Sequence, residues 1–216
     1  VIRRPVQEEG ISLNEAKQLM DAYRISKRQE KKENPLPDKT SETGARSLSL
    51  IGMGMGGGRQ LTLEALDALK QCDAVFGASR MLRDVEKWIC GKQQEAFYQP
   101  DQILDWLETH PQVSHAAVIC SGDTGFYSGS MMRELHTRWP QETACPYQVQ
   151  VYPGISSVSA LAARFQISWE DACLASAHGR DCDVAELVKQ HKLVFLLLDS
   201  SQNLKTICQT LTAAGL

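Results

Sequence analysis

Leu48-Ser49-Leu50-Ile51-Gly52-Met53-Gly54-Met55-Gly56-Gly57-Gly58-Arg59-Gln60-Leu61-Thr62 is the stretch on which the reading of this chain turns. An apolar run of strand length enters a loop holding Gly52, Gly54, Gly56, Gly57 and Gly58, then leaves into a helical pattern that begins near Leu61. A strand that turns through glycines into a helix lets the backbone approach a phosphate or nucleotide-like ligand, because glycine tolerates positive φ and a helix start offers free N–H groups. The loop does not end in Gly-Lys-Ser/Thr, so a Walker-type phosphate grip is a poor reading. Gly52, Gly54 and Gly57 do satisfy Gly-x-Gly-x-x-Gly, but a dinucleotide site also needs an acid at the end of the second strand. The nearby acid, Asp73, instead precedes the apolar Ala74-Val75-Phe76. An NAD-binding domain is therefore an alternative with weak support.

Outward from this loop, apolar runs alternate with helical patterns. The spacing predicts strands over Leu48–Ile51, Ala74–Phe76, Ala116–Ile119, Gln148–Val151 and Leu193–Leu198, each reading as buried. It predicts helices over Leu61–Gln71, Ser79–Trp88, Asp101–Thr109, Ser130–Arg138, Val158–Phe165, Val184–Lys189 and Asn203–Ala214. This alternation implies an α/β fold with a largely parallel sheet, whose ligands collect beyond the carboxyl ends of the strands. Three further strand-end loops draw attention for that reason. They are Cys120-Ser121-Gly122-Asp123-Thr124-Gly125-Phe126-Tyr127-Ser128, Tyr152-Pro153-Gly154-Ile155-Ser156-Ser157 and Ser176-Ala177-His178-Gly179-Arg180.

The 216 residues are 43% hydrophobic with a formal net charge of -3, which allows one large or two small domains with a real core. No apolar run approaches the ~20 residues needed to cross a bilayer, and the first residues lack the apolar centre of a signal peptide, so the chain reads as cytoplasmic. The 7 cysteines are scattered singly and the 5 histidines are dispersed, which predicts reduced, mostly buried thiols and no metal site. Positions 1–46 hold 10 Lys/Arg against 8 Asp/Glu, leaving 13 basic and 18 acidic groups for the rest. A mildly acidic body argues against a nucleic-acid surface.

Residues 26–46 contain almost nothing apolar beyond Leu36 and Ala45, and read as a linker. Ahead of it, Val1-Ile2-Arg3-Arg4-Pro5 is strand-like, and Ser12 with Glu15 has the form of a capping box opening an amphipathic stretch. Residues 1–25 are too few to fold alone. They read either as an extension packed on the body or as the tail of another domain.

Taken in order and spacing, the loops resemble the tetrapyrrole (corrin/porphyrin) methylase family. Its first strand runs into Gly-x-Gly-Pro-Gly followed by Leu-Thr, its third into Gly-Asp-Pro and its fourth into Pro-Gly-Ile-Ser-Ser. The counterparts are Gly52-Met53-Gly54-Met55-Gly56 with Leu61-Thr62, Gly122-Asp123-Thr124, and Pro153-Gly154-Ile155-Ser156-Ser157. The Gly122–Ser128 and Ser176–Arg180 loops look like the branch that methylates precorrin-7, or its cobalt form, at carbon 5. The likeness runs from about residue 47 to the end. Residues 1–25 look like the closing strand and helix of precorrin-6A reductase, so the resemblance implies a piece of a fused protein.

The resemblance implies a two-lobed α/β fold, with one lobe over 47–152 and a second, truncated one over 153–216. It implies S-adenosylmethionine as cofactor, a corrin-ring substrate and a homodimer; a non-catalytic docking fragment is the alternative from another class. Cofactor contacts would fall on Gly54, Met55, Gly56, Ser121, Gly122, Asp123, Phe126, Ser156, Ser157 and Leu197. Arg80, His178 and Arg180 would meet the substrate's carboxylates. Each residue also has a plainer role: Asp123 as a turn former, Ser156 or Ser157 as a helix cap, Phe126 and Leu197 as core, His178 as a hydrogen-bonding turn residue. Met55 and Thr124 stand where the family has proline, so Met55→Pro is expected to fit the turn and stabilise it.

Overall fold

The computed structural model describes residues 46–126, 129–139, 145–177, 182–198 and 201–216. Strands and helices alternate: β1 (Arg46–Gly52), α1 (Leu63–Gln71), β2 (Ala74–Phe76), α2 (Ser79–Ile89), β3 (Gln93–Glu95), α3 (Pro100–Thr109) and β4 (His115–Cys120). Then follow α4 (Ser130–Arg138), β5 (Tyr147–Tyr152), α5 (Ser157–Phe165), β6 (Cys173–Ser176), α6 (Val184–Gln190), β7 (Val194–Leu197) and α7 (Ser201–Ala213). The first five strands form one sheet in the order β3-β2-β4-β1-β5 with every pairing parallel. β6 and β7 form a second, parallel pair.

Helices cover both faces of the larger sheet, which is why its central strands are apolar on both sides. Along β1 the side chains alternate: Leu48 and Leu50 join Phe76, Val118 and residues of α3 and α4 on one face. Ile51 joins Val75, Ala117, Ile119 and residues of α1 and α2 on the other. Fully burying each leucine, isoleucine or phenylalanine contributes about 1.5–3 kcal/mol, so these two layers dominate the stability of the sheet. The second pair of strands has a smaller core, built from Val158, Ala162 and Phe195, with Phe126, Ala172 and Leu193 packed against it.

The sequence expectations need several corrections here. β6 was not among the expected strands, and the thiols expected to be mostly buried include the buried Cys72 but also the exposed Cys90 and Cys208. Three more concern β3, β5 and Arg46. β3 was not foreseen, because Gln93-Gln94-Glu95 carries no apolar signal; among the described residues it pairs only with β2, at the sheet edge, and it is largely exposed. β5 was expected to be buried, but it is the opposite edge strand and Val151 is 49% exposed. Arg46, placed in the linker, opens β1. The rest of the linker and residues 1–25 lie outside the described residues.

Long polar side chains hold the amino ends of the strands. The Arg46 guanidinium donates to the carbonyls of Leu107, His110 and Val113 at 2.7, 3.2 and 3.0 Å and to the Tyr147 hydroxyl at 3.3 Å. Asp73 accepts the Ser114 and His115 amides at 3.0 and 2.9 Å, tying the start of β2 to the start of β4. The Lys92 ammonium donates to the carbonyls of Lys70 and Cys72 at 2.7 and 2.6 Å, where a cation favours the negative end of α1. Among the described residues, no helix is long and apolar enough to cross a membrane, and no three or more His, Cys, Asp or Glu side chains are grouped to hold a metal ion.

Candidate functional site

β4, β1 and β5 are neighbours in the sheet, so the loops at their carboxyl ends meet. They meet through bare backbone. Gly54 and Gly122 form an antiparallel bridge, each amide bonding the other's carbonyl at 3.0 and 2.8 Å, and the Met53 amide reaches the Cys120 carbonyl at 2.9 Å. A Cβ on Gly52 would lie 2.5 Å from the Gly154 nitrogen and 2.8 Å from the Gly122 carbonyl oxygen; a Cβ on Gly154 would overlap that same oxygen. Only glycine fits at these two positions.

Asp123 secures the junction. Its Oδ1 accepts the Gly125 amide at 2.8 Å and its Oδ2 accepts the Gly154 amide at 3.0 Å, so one carboxylate shapes its own turn and clamps the loop after β5. The turn-former role foreseen for Asp123 is thus present, joined to a cross-loop bond that no local pattern could reveal. The same carboxylate, together with burial as the larger cause, pushes the neighbouring Cys120 thiol up to about 11. Cys120 is accordingly a protonated thiol near pH 7.

Beyond Gly154 the chain enters α5. Ser156 is its N-cap, with Oγ accepting the Ser159 amide at 3.2 Å, while Ser157 is the first helical residue. The space a Cβ of Gly122 would take lies 4.0 Å from the Ser157 nitrogen, so the Gly122 turn faces the start of this helix. Gly122 has φ 71, as do Gly54 at 71, Gly56 at 113, Gly57 at 75 and Gly58 at 62 in the first loop, all in the range that suits glycine.

α2 supports that first loop. A side chain on Gly58 would strike the Trp88 ring, and Gly56 faces Arg80 and Asp84 at 3.8 Å. Arg80 pairs with Asp84 at 3.7 Å, leaving its side chain 61% exposed. A residue that sequence reasoning overlooked holds the loop from the other end: Gln60 Oε1 accepts the Met55 amide at 2.6 Å. Because that amide is used, Met55→Pro would lose the bond rather than stabilise the turn, which corrects the earlier expectation.

The structure therefore brings Gly54, Met55, Gly56, Gly122, Asp123, Ser156 and Ser157 to one end of the sheet, with Ser121 on the β4 loop and Arg80 beside the first loop. Phe126 is partly buried against the small core of Val158, Ala162 and Phe195. Leu197 ends β7 half-buried, its carbonyl accepting the Ala177 amide at 2.9 Å. His178, Arg180, Tyr127 and Ser128 lie outside the described residues. A dinucleotide site is not supported, because Asp73 caps the amino end of β4 and Phe76 at the carboxyl end of β2 runs into Gly77-Ala78-Ser79. A groove of about 280 Å³ beside β5 and α4, lined by Trp139, Tyr147, Val149 and Val151 among others, includes none of the candidate residues.

Comparisons with known proteins bear on the family and the fold. The chain is 30% identical over 173 residues to the cobalt-precorrin-7 C(5)-methyltransferase of Salmonella typhimurium, an overlap of 78% of this chain and 79% of that protein. Its fold is similar to that of the cobalamin biosynthesis precorrin-6Y methylase of Archaeoglobus fulgidus, with TM-score 0.53, 19% identity and 72% and 74% of the two chains covered. The methyltransferase CobJ gives TM-score 0.53 at 22% identity, covering 68% of this chain and 62% of its own. The model of the Tetrapyrrole (Corrin/Porphyrin) Methylases matches residues 47–216, and the chain belongs to that family.

Proposed function

We propose that this methylase transfers a methyl group from S-adenosylmethionine to carbon 5 of precorrin-7 or its cobalt form, in cobalamin synthesis. The observation that carries the reading is the backbone junction of Gly52, Gly122 and Gly154, where three loops meet without side chains at the carboxyl end of the sheet. The named activity of the Salmonella typhimurium relative supports the choice of substrate.

The residues fit such a cofactor. A Cβ on Gly57 would meet nothing within 4 Å, and one on Gly122 would meet nothing closer than 4.0 Å, so backbone is presented to open space on both loops. The start of α5 adds N–H groups suited to a carboxylate. Gly54, Met55, Gly56, Ser121, Gly122, Ser156 and Ser157 would hold the cofactor, with Asp123 fixing the loops that carry them. S-adenosylmethionine supplies a methyl group on a positively charged sulfur, already activated toward a carbon nucleophile. The protein's task is then to align the partners and exclude water. Arg80, exposed beside Gly56, would pair with a carboxylate of the ring substrate. The first lobe would end with β5 and the second would begin at Pro153, with the cofactor against their junction.

Thermal melting and calorimetry with S-adenosylhomocysteine test the reading. The melting temperature should climb with ligand concentration as mass action requires, NAD should leave it unchanged, and labelled methyl should pass to cobalt-precorrin-7. A chain that binds NAD, or binds neither ligand, would overturn the proposal.

A further inference from the structure

The glycine loop between β1 and α1 carries a device of its own. Gly54, Gly56, Gly57 and Gly58 all take positive φ, and such a run is costly to order because each glycine has the widest conformational freedom when loose. Within it, the Gln60 side chain folds back over Gly54: a Cβ there would lie 2.6 Å from both Gln60 Cβ and Gln60 Oε1. The same oxygen accepts the Met55 amide at 2.6 Å, closing a ring across the turn. Two residues on, Thr62 caps α1 by accepting the Ala65 amide at 3.2 Å, so Gln60 is anchored to the helix start. Met55 itself is 50% exposed.

We infer that Gln60 is a positioning residue: its carboxamide holds the Met55 turn in the shape that receives the cofactor, the part a rigid residue at position 55 would otherwise play. The inference rests on the cofactor reading given above. It makes a specific claim about coupling. Proline at position 55 would supply the restraint through its fixed φ but has no N–H, and its ring would crowd an oxygen that now lies 2.6 Å from the nitrogen. Gln60 and a proline at 55 are thus rival solutions to one problem. Each should work without the other, and the two together should conflict.

The test is S-adenosylhomocysteine affinity by calorimetry on the full chain for wild type, Q60L, Q60E, M55P and the M55P/Q60L double variant, with melting curves for each. Loss of one hydrogen bond predicts about 3- to 10-fold weaker binding for Q60L with a melting temperature close to wild type. Q60E, which keeps the acceptor, should bind within about twofold of wild type. M55P should weaken binding when made alone but strengthen it when made in Q60L, a reversal of sign that independent sites do not show. Failure of wild type to bind would overturn the cofactor reading and this inference with it. Wild-type binding with Q60L unchanged, with Q60L and Q60E equally impaired, or with additive effects in the double variant would overturn the role of Gln60 alone.

Discussion

The two ends of the five-stranded sheet are built from opposite materials. At the amino ends, long charged side chains are spent on backbone: Arg46 serves three carbonyls and a hydroxyl, Asp73 two amides, Lys92 two carbonyls. At the carboxyl ends, glycine backbones touch one another, and Asp123 is the carboxylate that ties them. Charge at the first end is consumed in closing the structure, whereas the second end leaves donors and space for something else. The difference teaches that a charged residue near a strand is not in itself a functional signal; the partners it already serves decide, as Asp123 shows at the carboxyl end.

The sharpest way to break this contrast is to add one carbon at the glycine junction. Gly154→Ala should cost about 3 kcal/mol, because the new Cβ collides with the backbone of Gly52 and Gly122, neither of which has a side chain that could yield. Binding of S-adenosylhomocysteine should fall with it. Chemical denaturation and calorimetry on one preparation measure both, and a folded variant of unchanged stability would mean that the three loops do not meet as described.

Arg46→Ala should show the complementary behaviour. Removing a half-buried guanidinium strips partners from the carbonyls of Leu107, His110 and Val113 and from Tyr147, and should cost about 2 kcal/mol. Affinity for S-adenosylhomocysteine should stay within twofold of wild type at a temperature where the variant is folded. A selective loss of affinity would show that the two ends are coupled and erase the distinction.

Asp123→Ala sits between these cases. It should cost about 1.5 kcal/mol of stability through the Gly125 and Gly154 amides, and should weaken cofactor binding by loosening the loops rather than by removing a direct contact. Asp123→Asn, which keeps an acceptor for one amide, should recover part of both. Full retention of affinity in the alanine variant would detach this carboxylate from the site.

How far the sequence displays all this depends on the range of the contacts involved. β1, β2 and β4 are legible because their residues are apolar on both faces, and α4 falls on Ser130–Arg138 as its periodicity predicts. β3 is hidden because an exposed edge strand of Gln93-Gln94-Glu95 has no burial to advertise. The loop motifs mark the site through glycine's known uses, yet the Asp123–Gly154 bond joins residues 31 apart and follows only from strand order. Gln60 is close in sequence to Met55 but belongs to no pattern, since a single carboxamide in a polar loop looks the same whether it is solvated or bonded.

The smallest effect expected is in alkali, and it compares thiols rather than ends. Burial pushes Cys72 up to about 12 and, with the Asp123 carboxylate, Cys120 up to about 11, against an ordinary 9.0, while Cys90 and Cys208 are exposed. A raised pKa means the folded chain keeps its thiol proton where the unfolded chain has released it, so the unfolded state binds fewer protons above pH 9 and stability falls as pH rises. The contribution of Cys120 is therefore whole below about pH 9 and lost between there and about pH 11, at no more than ~1.4 kcal/mol per pH unit. Urea denaturation at pH 8 and pH 10 should show a shallower decline for Cys120→Ala than for wild type. Tyr147 and Tyr152, whose hydroxyls burial also pushes up, are present in both chains and leave the difference intact. Thiol labelling gives an independent reading, because the thiolate is the reactive form: at pH 8 Cys90 and Cys208 should be modified well before Cys72 and Cys120. Early labelling of Cys120 would mean that the end of β4 opens to solvent, and with it the junction on which the proposed site is built.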